Sequence, residues 1–306
     1  MIGYLSAMQA APVLAELAEA DPRVVLVSQD LGQLYGFSDR FPERHFDVGI
    51  SEQNLVGVAA GLAHAGMRPF VLAMAPFLSM RGFEQIRTDC GYNRNHVVFL
   101  APFAGLEAGA WGATHHAIED IALMRTIPGM TVLSPADPAE LMRAVRVAAE
   151  LDGPVYMRLG AIQPIEGYDA PFELGRAVRL HDGDRVTLLA TGPSVAVALE
   201  VHDRLAADGI DARVLNVHTI KPLDEDAILA AARETGALAT IEEHSIIGGL
   251  GGAVAEVLAE RGEVGSLHRI GLRDVFCTEI GPYEELLRVH GLDADGVEQV
   301  VREHLT

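Results

Sequence analysis

The sequence predicts an α/β protein made of two α/β domains. Short apolar runs rich in β-branched residues alternate with amphipathic stretches of helical length along most of the chain. The 306 residues are 49% apolar, enough to bury a core in each of two domains. The alternation stops once, where Pro and Gly accumulate. We therefore expect a first domain over residues 1–165, a linker over 166–184 and a second domain over 185–306.

The first domain opens with a helical stretch over 6–20, followed by an Asp-Pro turn. The apolar runs that follow predict strands at Val24–Ser28, Phe46–Val48, Phe70–Met74, Val97–Leu100 and Val155–Leu159. The amphipathic stretches between them predict helices at about 52–65 and 79–90. A Ser-Pro-Ala-Asp-Pro segment ends a further strand at Leu133 and starts a helix that runs to about Glu150.

The second domain repeats the same alternation without a repeat of fixed period. Strands are predicted at 186–190, 212–217 and 237–242. Helices are predicted at 194–207, 224–234 and 251–261, with two more at the C-terminus.

Charge and composition exclude several classes of function. The chain carries 23 Lys and Arg against 43 Asp and Glu, a formal charge of −20, which opposes binding to nucleic acid or to an anionic membrane surface. No apolar run approaches the roughly 20 residues of a membrane-spanning helix, and no signal peptide is visible. Cys90 and Cys277 form no C-x-x-C pattern, so we expect a cytoplasmic protein without a structural zinc site.

The segment from Asp47 to Ala63 carries the strongest local signal. Ser51 is a typical N-cap residue, which places Glu52 in the first helical turn, where the helix dipole favours a carboxylate. Gly57 and Gly61 leave one helix face poor in side chains, so another backbone can approach closely. Taken alone, this pattern also fits a carboxylate that only decorates a helix start, and a face used for plain packing.

This segment resembles the catalytic-glutamate helix of the thiamine-diphosphate enzymes of the transketolase family. The resemblance is to the C-terminal half, which some bacteria encode as a separate subunit, and it covers essentially the whole chain. Pro69–Gln85 resembles the pyrimidine-ring strand and helix, the Gly112–Asp120 segment resembles the G-[PA]-T-H-Q motif, and 186–252 resembles the C-terminal domain. The resemblance implies a pyrimidine-binding fold followed by a transketolase C-terminal-like domain.

Half of the family's cofactor site has no counterpart in the sequence. Family members hold the cofactor diphosphate and Mg²⁺ with a G-D-G motif and a later Asn on a separate domain. The nearest imitation, His181-Asp182-Gly183-Asp184, has no matching Asn and lies in the predicted linker. The resemblance therefore implies an N-terminal, diphosphate-binding partner subunit that carries Mg²⁺, in an α2β2 assembly with the cofactor between the two chains.

The resemblance also assigns roles to individual residues. Glu52 matches the glutamate that shares a proton with the cofactor's aminopyrimidine ring, and Phe77 matches the aromatic residue that packs on that ring. Met74 and Met80 stand where relatives carry further aromatic residues, so we expect them to line the same pocket. His115 matches a histidine near the reactive end of the cofactor, a candidate to move a proton or to orient the donor oxygen.

The histidine motif leaves alternatives open. The spacing of His115, His116, Glu119 and Asp120 is also compatible with a metal site, and the two histidines could be structural. His116 replaces the usual Gln of the motif, and its role is open.

Three residues bear on the substrate. Arg158 matches an arginine that grips the substrate phosphate in sugar-phosphate transketolases, which implies an anionic small molecule; a salt bridge to an acid is the alternative. Phe103 and Trp111 stand where transketolases offer a His and an Asp to the hydroxyls of the donor. Without those partners, a polyol recovers little of its desolvation cost.

The sequence thus predicts the C-terminal subunit of a split transketolase-like enzyme. Its reaction is transfer of a two-carbon ketol unit from a ketose-type donor to an aldehyde or a carrier. One alternative is an E1β-like subunit that decarboxylates a 2-keto acid and passes the acyl unit to a lipoyl or carrier-protein arm. Another is a subunit without catalysis of its own, which serves assembly or regulation.

Overall fold

The computed structural model describes residues 2–30, 37–263 and 265–305, with the backbone alone over 2–6. Within these residues the chain forms a seven-stranded and a five-stranded sheet, both packed against helices. The predicted fold class, two α/β domains, is confirmed. No helix in the described ranges is both long and apolar enough to span a bilayer.

The first half of the described chain supplies most of the larger sheet. Its strands are β1 (Val24–Ser28), β2 (His45–Asp47), β3 (Arg68–Leu72), β4 (Val98–Ala101), β5 (Thr131–Leu133) and β6 (Val155–Arg158). Its α-helices are α1 (Ile2–Ala20), α2 (Glu52–His64), α3 (Ala75–Arg81), α4 (Phe83–Gln85), α5 (Asp120–Arg125) and α6 (Pro138–Glu150). A π-helical segment, Ile86–Tyr92, continues α4, and 3-10 turns lie at Pro42–Arg44 and Gly109–Trp111.

The second half supplies the smaller sheet and one strand of the larger. Its strands are β7 (Val178–His181), β8 (Val186–Ala190), β9 (Ala212–Asn216), β10 (Thr219–Lys221), β11 (Ala237–Ser245) and β12 (Ser266–Leu272). Its helices are α7 (Ser194–Ala207), α8 (Glu225–Thr235), α9 (Leu250–Arg261), α10 (Tyr283–Val289) and α11 (Ala294–Leu305).

The larger sheet has the order β10-β5-β6-β4-β3-β1-β2, and all its pairs are parallel except β10–β5. Successive residues of each strand face opposite cores. Val71 and Phe99 pack with α2 on one side, whereas Phe70 and Leu100 pack with α1 and α6 on the other. Because both faces are covered, these strands read in the sequence as continuous apolar runs.

The smaller sheet has the order β12-β11-β8-β9-β7, with β7 antiparallel to β9. β7 lies inside the predicted linker over 166–184, so part of that segment is a strand of the second sheet. β12 was not predicted either. Both are edge strands with partly exposed, polar residues, and they lack the buried apolar run that identifies a central strand.

One strand ties the two halves together. β10 follows β9 in the sequence but pairs with β5 of the larger sheet, with Thr219 opposite Leu133. The Lys221 ammonium donates hydrogen bonds to the carbonyl oxygens of Arg125 (2.8 Å) and Ile127 (2.7 Å). The domain division therefore stays a prediction, because the second half completes the first sheet.

Two local predictions around α2 and α3 need correction. The helix expected over 79–90 begins earlier, at Ala75, with Pro76 in its first turn, where the missing N–H costs nothing. This start places Phe77 on the helix. Ser51 occupies the N-cap of α2, but its hydroxyl donates to the carbonyl of Val48 (3.1 Å) and does not cap the helix.

The small-residue face of α2 is not covered within the described chain. Gly57 and Gly61 are exposed, and a Cβ atom added at either would have no neighbour within 4 Å. The close backbone approach expected from the sequence is therefore absent among the described residues.

Candidate active site

The residues singled out by the sequence follow the carboxyl ends of neighbouring parallel strands. Glu52 begins α2 after β2, Phe77 lies on α3 after β3, and Phe103 follows β4. These strands are close neighbours in the larger sheet. In parallel sheets, ligands bind at this edge, because the loops that leave the strands meet there.

Glu52 lies at the bottom of this edge and is only 3% exposed. Its Oε1 atom accepts hydrogen bonds from Arg81 Nη1 (2.8 Å) and Gln29 Nε2 (3.2 Å). Gln29 follows β1 and is itself buried. No described residue donates a hydrogen bond to Oε2, so one carboxylate oxygen is held in place and the other has no protein partner there.

Arg81 links Glu52 to Phe77. The guanidinium carbon of Arg81 lies 4.1 Å from the centroid of the Phe77 ring, in a cation–π contact. Arg81 follows Phe77 by one helical turn on α3, the spacing at which side chains on one helix face meet. Neither Arg81 nor Gln29 was predicted from the sequence, although this spacing was a signal for Arg81.

An aromatic row runs from Phe77 along the edge of the sheet. The centroid of the Phe77 ring is 5.1 Å from that of His115, in an edge-to-face arrangement. His115 is 5.3 Å from Trp111, and Trp111 is 5.4 Å from Phe103. The structure thus brings four of the residues picked from the sequence into one continuous contact.

Phe103 has a left-handed backbone conformation with φ of 61°, which is unfavourable for a bulky side chain. Its ring packs with Met74 and Ala108, and Phe77 closes this small apolar cluster. Such backbone strain persists where packing over-determines it, often at functional sites. Met80 is partly exposed and lines a neighbouring cavity.

That cavity has a volume of about 350 Å³. Its walls come from α3, from the loop over 113–119, and from Phe276 and Cys277 of the second half. His116 lines it, is 4% exposed, and has no hydrogen bond to either ring nitrogen within the described structure. Burial, and then the positive charge of the nearby His290, lower the pKa of His116, so its ring is neutral at pH 7.

The four residues with metal-compatible spacing have different partners. The His115 Nδ1 atom pairs with the Thr114 hydroxyl (2.9 Å), Asp120 pairs with Arg158, and Glu119 accepts from the backbone N–H of Ile118 (3.2 Å). Over the described ranges, no group of three or more His, Cys, Asp or Glu side chains is arranged to hold a metal ion.

Arg158 does not reach the cavity. Its side chain is 1% exposed, and its Nε atom donates to Asp120 Oδ2 at 3.0 Å. Its Nη2 atom donates to the carbonyl oxygens of Ala117 (3.2 Å) and Glu243 (2.7 Å). The structure places Arg158 in the salt bridge that was the alternative to an anion ligand, so we do not carry the substrate-binding role forward.

The Arg158 pair belongs to a buried polar network between the two halves. Glu243 accepts hydrogen bonds from the Tyr283 hydroxyl (2.7 Å) and from the backbone N–H of Leu106. Nearby, both carboxylate oxygens of Glu107 are buried without a well-aligned donor among the described residues. Burial, and then the charge of Glu243, raise the pKa of Glu107 to about 8. A lone carboxylate in the apolar loop after β4 was the sequence signal for it.

The glycine-rich segment 248–252 is occupied by an internal carboxylate. Glu242 accepts from the backbone N–H groups of Leu250 (2.6 Å) and Gly251 (2.8 Å), at the start of α9. A Cβ at Gly249 would lie 2.0 Å from Glu242 Oε2, which explains the glycine. The segment is therefore a close-packed helix entry, as expected, and not a phosphate loop.

Comparison with known proteins agrees with this architecture. Residues 6–162 match the transketolase pyrimidine-binding domain, and residues 175–297 match the transketolase C-terminal domain. The chain is 42% identical to the 6-deoxy-6-sulfo-D-fructose transketolase subunit SqwH of Clostridium sp. (strain MSTE9), over 95% of this chain and 91% of the relative. It is 39% identical to an apulose-4-phosphate transketolase subunit of Phocaeicola vulgatus, over 93% and 92%.

Solved structures give the same result. A split-gene transketolase, described as an inactive beta4 tetramer, is 42% identical, superimposes with a TM-score of 0.90 and covers 98% of both chains. A transketolase from Pichia stipitis shares the fold at 19% identity, with a TM-score of 0.79 over 98% of this chain and 45% of its own. The chain therefore belongs to the transketolase family, as the C-terminal subunit of a split transferase that requires a partner subunit.

Proposed function

We propose that this subunit carries the pyrimidine half of a thiamine-diphosphate site and that the assembled enzyme transfers a two-carbon ketol unit. The donor is a ketose-type molecule and the acceptor an aldehyde or a carrier. One observation carries the proposal: a buried carboxylate, Glu52, lies beside the ring of Phe77 at the carboxyl edge of a parallel sheet.

The residues present fit the cofactor's pyrimidine ring. The ring needs a carboxylate at one nitrogen and an apolar surface against its face. Glu52 has one oxygen without a protein partner, and Phe77, Met74 and Met80 supply an apolar surface next to a cavity of about 350 Å³. Bound thiamine diphosphate supplies the carbanion-stabilising chemistry that no side chain provides.

Each side chain then has a limited task. Glu52 holds a proton at the pyrimidine nitrogen, in a site from which water is excluded. Gln29 fixes the rotamer of Glu52 through the other oxygen. His115, which packs on the edge of Phe77, orients the oxygen of the donor or moves a proton at it. Phe77 holds the ring in place.

We assign the cofactor diphosphate and Mg²⁺ to an N-terminal partner subunit in an α2β2 assembly. The family resemblance divides the site in this way. The exposed face of α2 supports a subunit contact beside Glu52: Gly57 and Gly61 leave room for a second backbone, and Ile50 next to them is 70% exposed.

We propose an anionic donor with few hydroxyl groups. The names of two relatives specify a sulfo-sugar and a sugar phosphate, both anionic. Phe103 and Trp111 form an apolar stretch of the aromatic row, where hydroxyl-binding side chains were expected. The same apolar wall favours the second candidate, decarboxylation of a 2-keto acid with acyl transfer to a carrier arm.

A product assay separates these candidates. The chain is mixed with its N-terminal partner, thiamine diphosphate and Mg²⁺, and offered a ketose phosphate with an aldehyde, or pyruvate alone. Ketol transfer predicts an aldehyde phosphate shortened by two carbons and a lengthened acceptor. Carbon dioxide released only from pyruvate would replace it with the acyl-transfer reaction. Full turnover by a Glu52→Gln complex would instead leave the chain an assembly or regulatory role.

We also propose a reducing compartment, the cytoplasm, as its location. Cys90 and Cys277 are free thiols and both are buried. Burial raises the pKa of Cys90 to about 12 and that of Cys277 to about 11, so neither is activated as a thiolate.

A further inference from the structure

We propose that Arg81 covers the pyrimidine-binding groups of the unassembled chain and has to turn away before the cofactor's ring can bind. Arg81 then sets how tightly the subunit takes the pyrimidine. The inference rests on the proposed function, because it concerns access to Glu52 and Phe77.

One guanidinium group contacts both recognition groups. Nη1 donates to Glu52 Oε1 at 2.8 Å, and the guanidinium carbon lies 4.1 Å from the Phe77 centroid. A pyrimidine that stacks on Phe77 and hydrogen-bonds to Glu52 makes the same two kinds of contact. The cation and the ring therefore compete for one place.

The cavity beside α3 supports this competition. Phe77 and Arg81 both line it, whereas Glu52 does not. The Glu52 side chain is almost completely buried and lies behind the guanidinium. A ligand that enters along Phe77 therefore meets Arg81 before it meets the carboxylate.

Arg81 is also free to move. Its side chain is 50% exposed, and its Nε and Nη2 atoms make no hydrogen bond with the described residues. It is the last residue of α3, so no further turn of that helix packs against it. Glu119 lines the same cavity and, within the described chain, accepts from backbone N–H groups alone, which leaves it able to accept the guanidinium after it turns.

The size of the effect follows from the two interactions that Arg81 makes. Partly exposed ion pairs and cation–π contacts are each weak, and together they correspond to about a tenfold change in an equilibrium constant. Removal of Arg81 also leaves Glu52 without its charged partner in the free chain, which acts in the same direction. Pyrimidine binding should therefore tighten when Arg81 is removed.

The test titrates the purified full chain with 4-amino-2-methylpyrimidine, the cofactor's ring alone. Binding is followed by ligand-observed NMR and by fluorescence of Trp111, the only tryptophan in the sequence. We expect Arg81→Ala to bind about tenfold more tightly than the wild type, and Arg81→Lys, which keeps the charge but not the planar fork, to gain less. Arg87→Ala is the matched control: Arg87 is exposed on the adjoining π-helical segment, and its affinity should equal the wild type's.

Equal or weaker binding by Arg81→Ala, in a chain whose circular dichroism matches the wild type's, would overturn the proposal. Glu52→Gln separates this result from failure of the proposed function. If Glu52→Gln loses the pyrimidine while Arg81→Ala gains nothing, the site assignment holds and the covering role fails. If Glu52→Gln binds as well as the wild type, the pyrimidine site itself is assigned wrongly.

Discussion

Asp120 and Arg158 form an ion pair in which neither side chain is more than 1% exposed. Asp120 also accepts a hydrogen bond from the buried Tyr156 hydroxyl (2.9 Å). Arg158 spends its remaining donors on two backbone carbonyls, one of them from β11 of the second half. The pair is thus a structural connection between the domains beneath the candidate site.

We expect Asp120→Asn to destabilise the chain by about 3 kcal/mol, because it leaves the Arg158 charge buried without compensation. Urea unfolding of the purified chain measures the difference. The matched control is Asp182→Asn, which breaks the exposed pair with Arg179 and should change stability by less than about 1 kcal/mol. Equal effects at the two positions would show that burial of the Asp120 pair has no such consequence.

Glu107 should make stability fall as pH rises. Its pKa is raised from 4.5 to about 8 in the fold, so between these values the unfolded chain loses a proton that the folded chain keeps. Stability is therefore full below pH 4.5 and declines up to about pH 8. We expect Glu107→Gln to be more stable than the wild type by about 2 kcal/mol at pH 7.5 and equal to it at pH 4.5.

Urea titrations of both proteins at several pH values check the Glu107 prediction. Glu43→Gln, at an exposed position, is the control and should show no pH-dependent difference from the wild type. A constant offset between wild type and Glu107→Gln across the range would mean that Glu107 is ionised in the folded protein.

Glu52→Gln should lower turnover of the reconstituted complex by about 10²- to 10⁴-fold, the usual contribution of a proton-transferring group. The amide keeps the shape of Glu52 but cannot hold the proton. Glu84→Gln, an exposed residue on α4, should leave turnover unchanged. Measurement of kcat at saturating thiamine diphosphate separates loss of chemistry from loss of the cofactor.

Phe103 and Trp111 should set donor preference. Phe103→Asn together with Trp111→Asp restores polar partners, and each new hydrogen bond contributes about 1 kcal/mol. We expect kcat/KM for a pentulose phosphate to rise about tenfold relative to hydroxypyruvate, a donor with few hydroxyl groups. Asn also tolerates the left-handed backbone at position 103, so the change relieves strain.

The control for the donor experiment is Tyr92→Asn, which changes an aromatic residue that is almost fully exposed. It should leave the ratio of the two kcat/KM values as it is. If the double variant also leaves that ratio unchanged, Phe103 and Trp111 do not face the donor.

The sequence predicted the central elements well because their burial is written locally. Val24–Ser28, Val186–Ala190 and Ser194–Ala207 have the predicted bounds, since strands covered on both faces are apolar throughout. β7, β10 and β12 were missed. They are short or lie at sheet edges, where one side is open and the apolar pattern is weak.

By itself, the sequence determined the family, the α/β architecture and the positions of Glu52, Phe77 and His115, because each depends on a local motif. Only the tertiary structure decided which charges meet. Arg158 reads as an anion ligand until β6 places it against Asp120 and Glu243, and Arg81 has no evident role until α3 brings it over Phe77 to Glu52. Burial and ion pairing arise from residues far apart in the chain, and no local pattern encodes them.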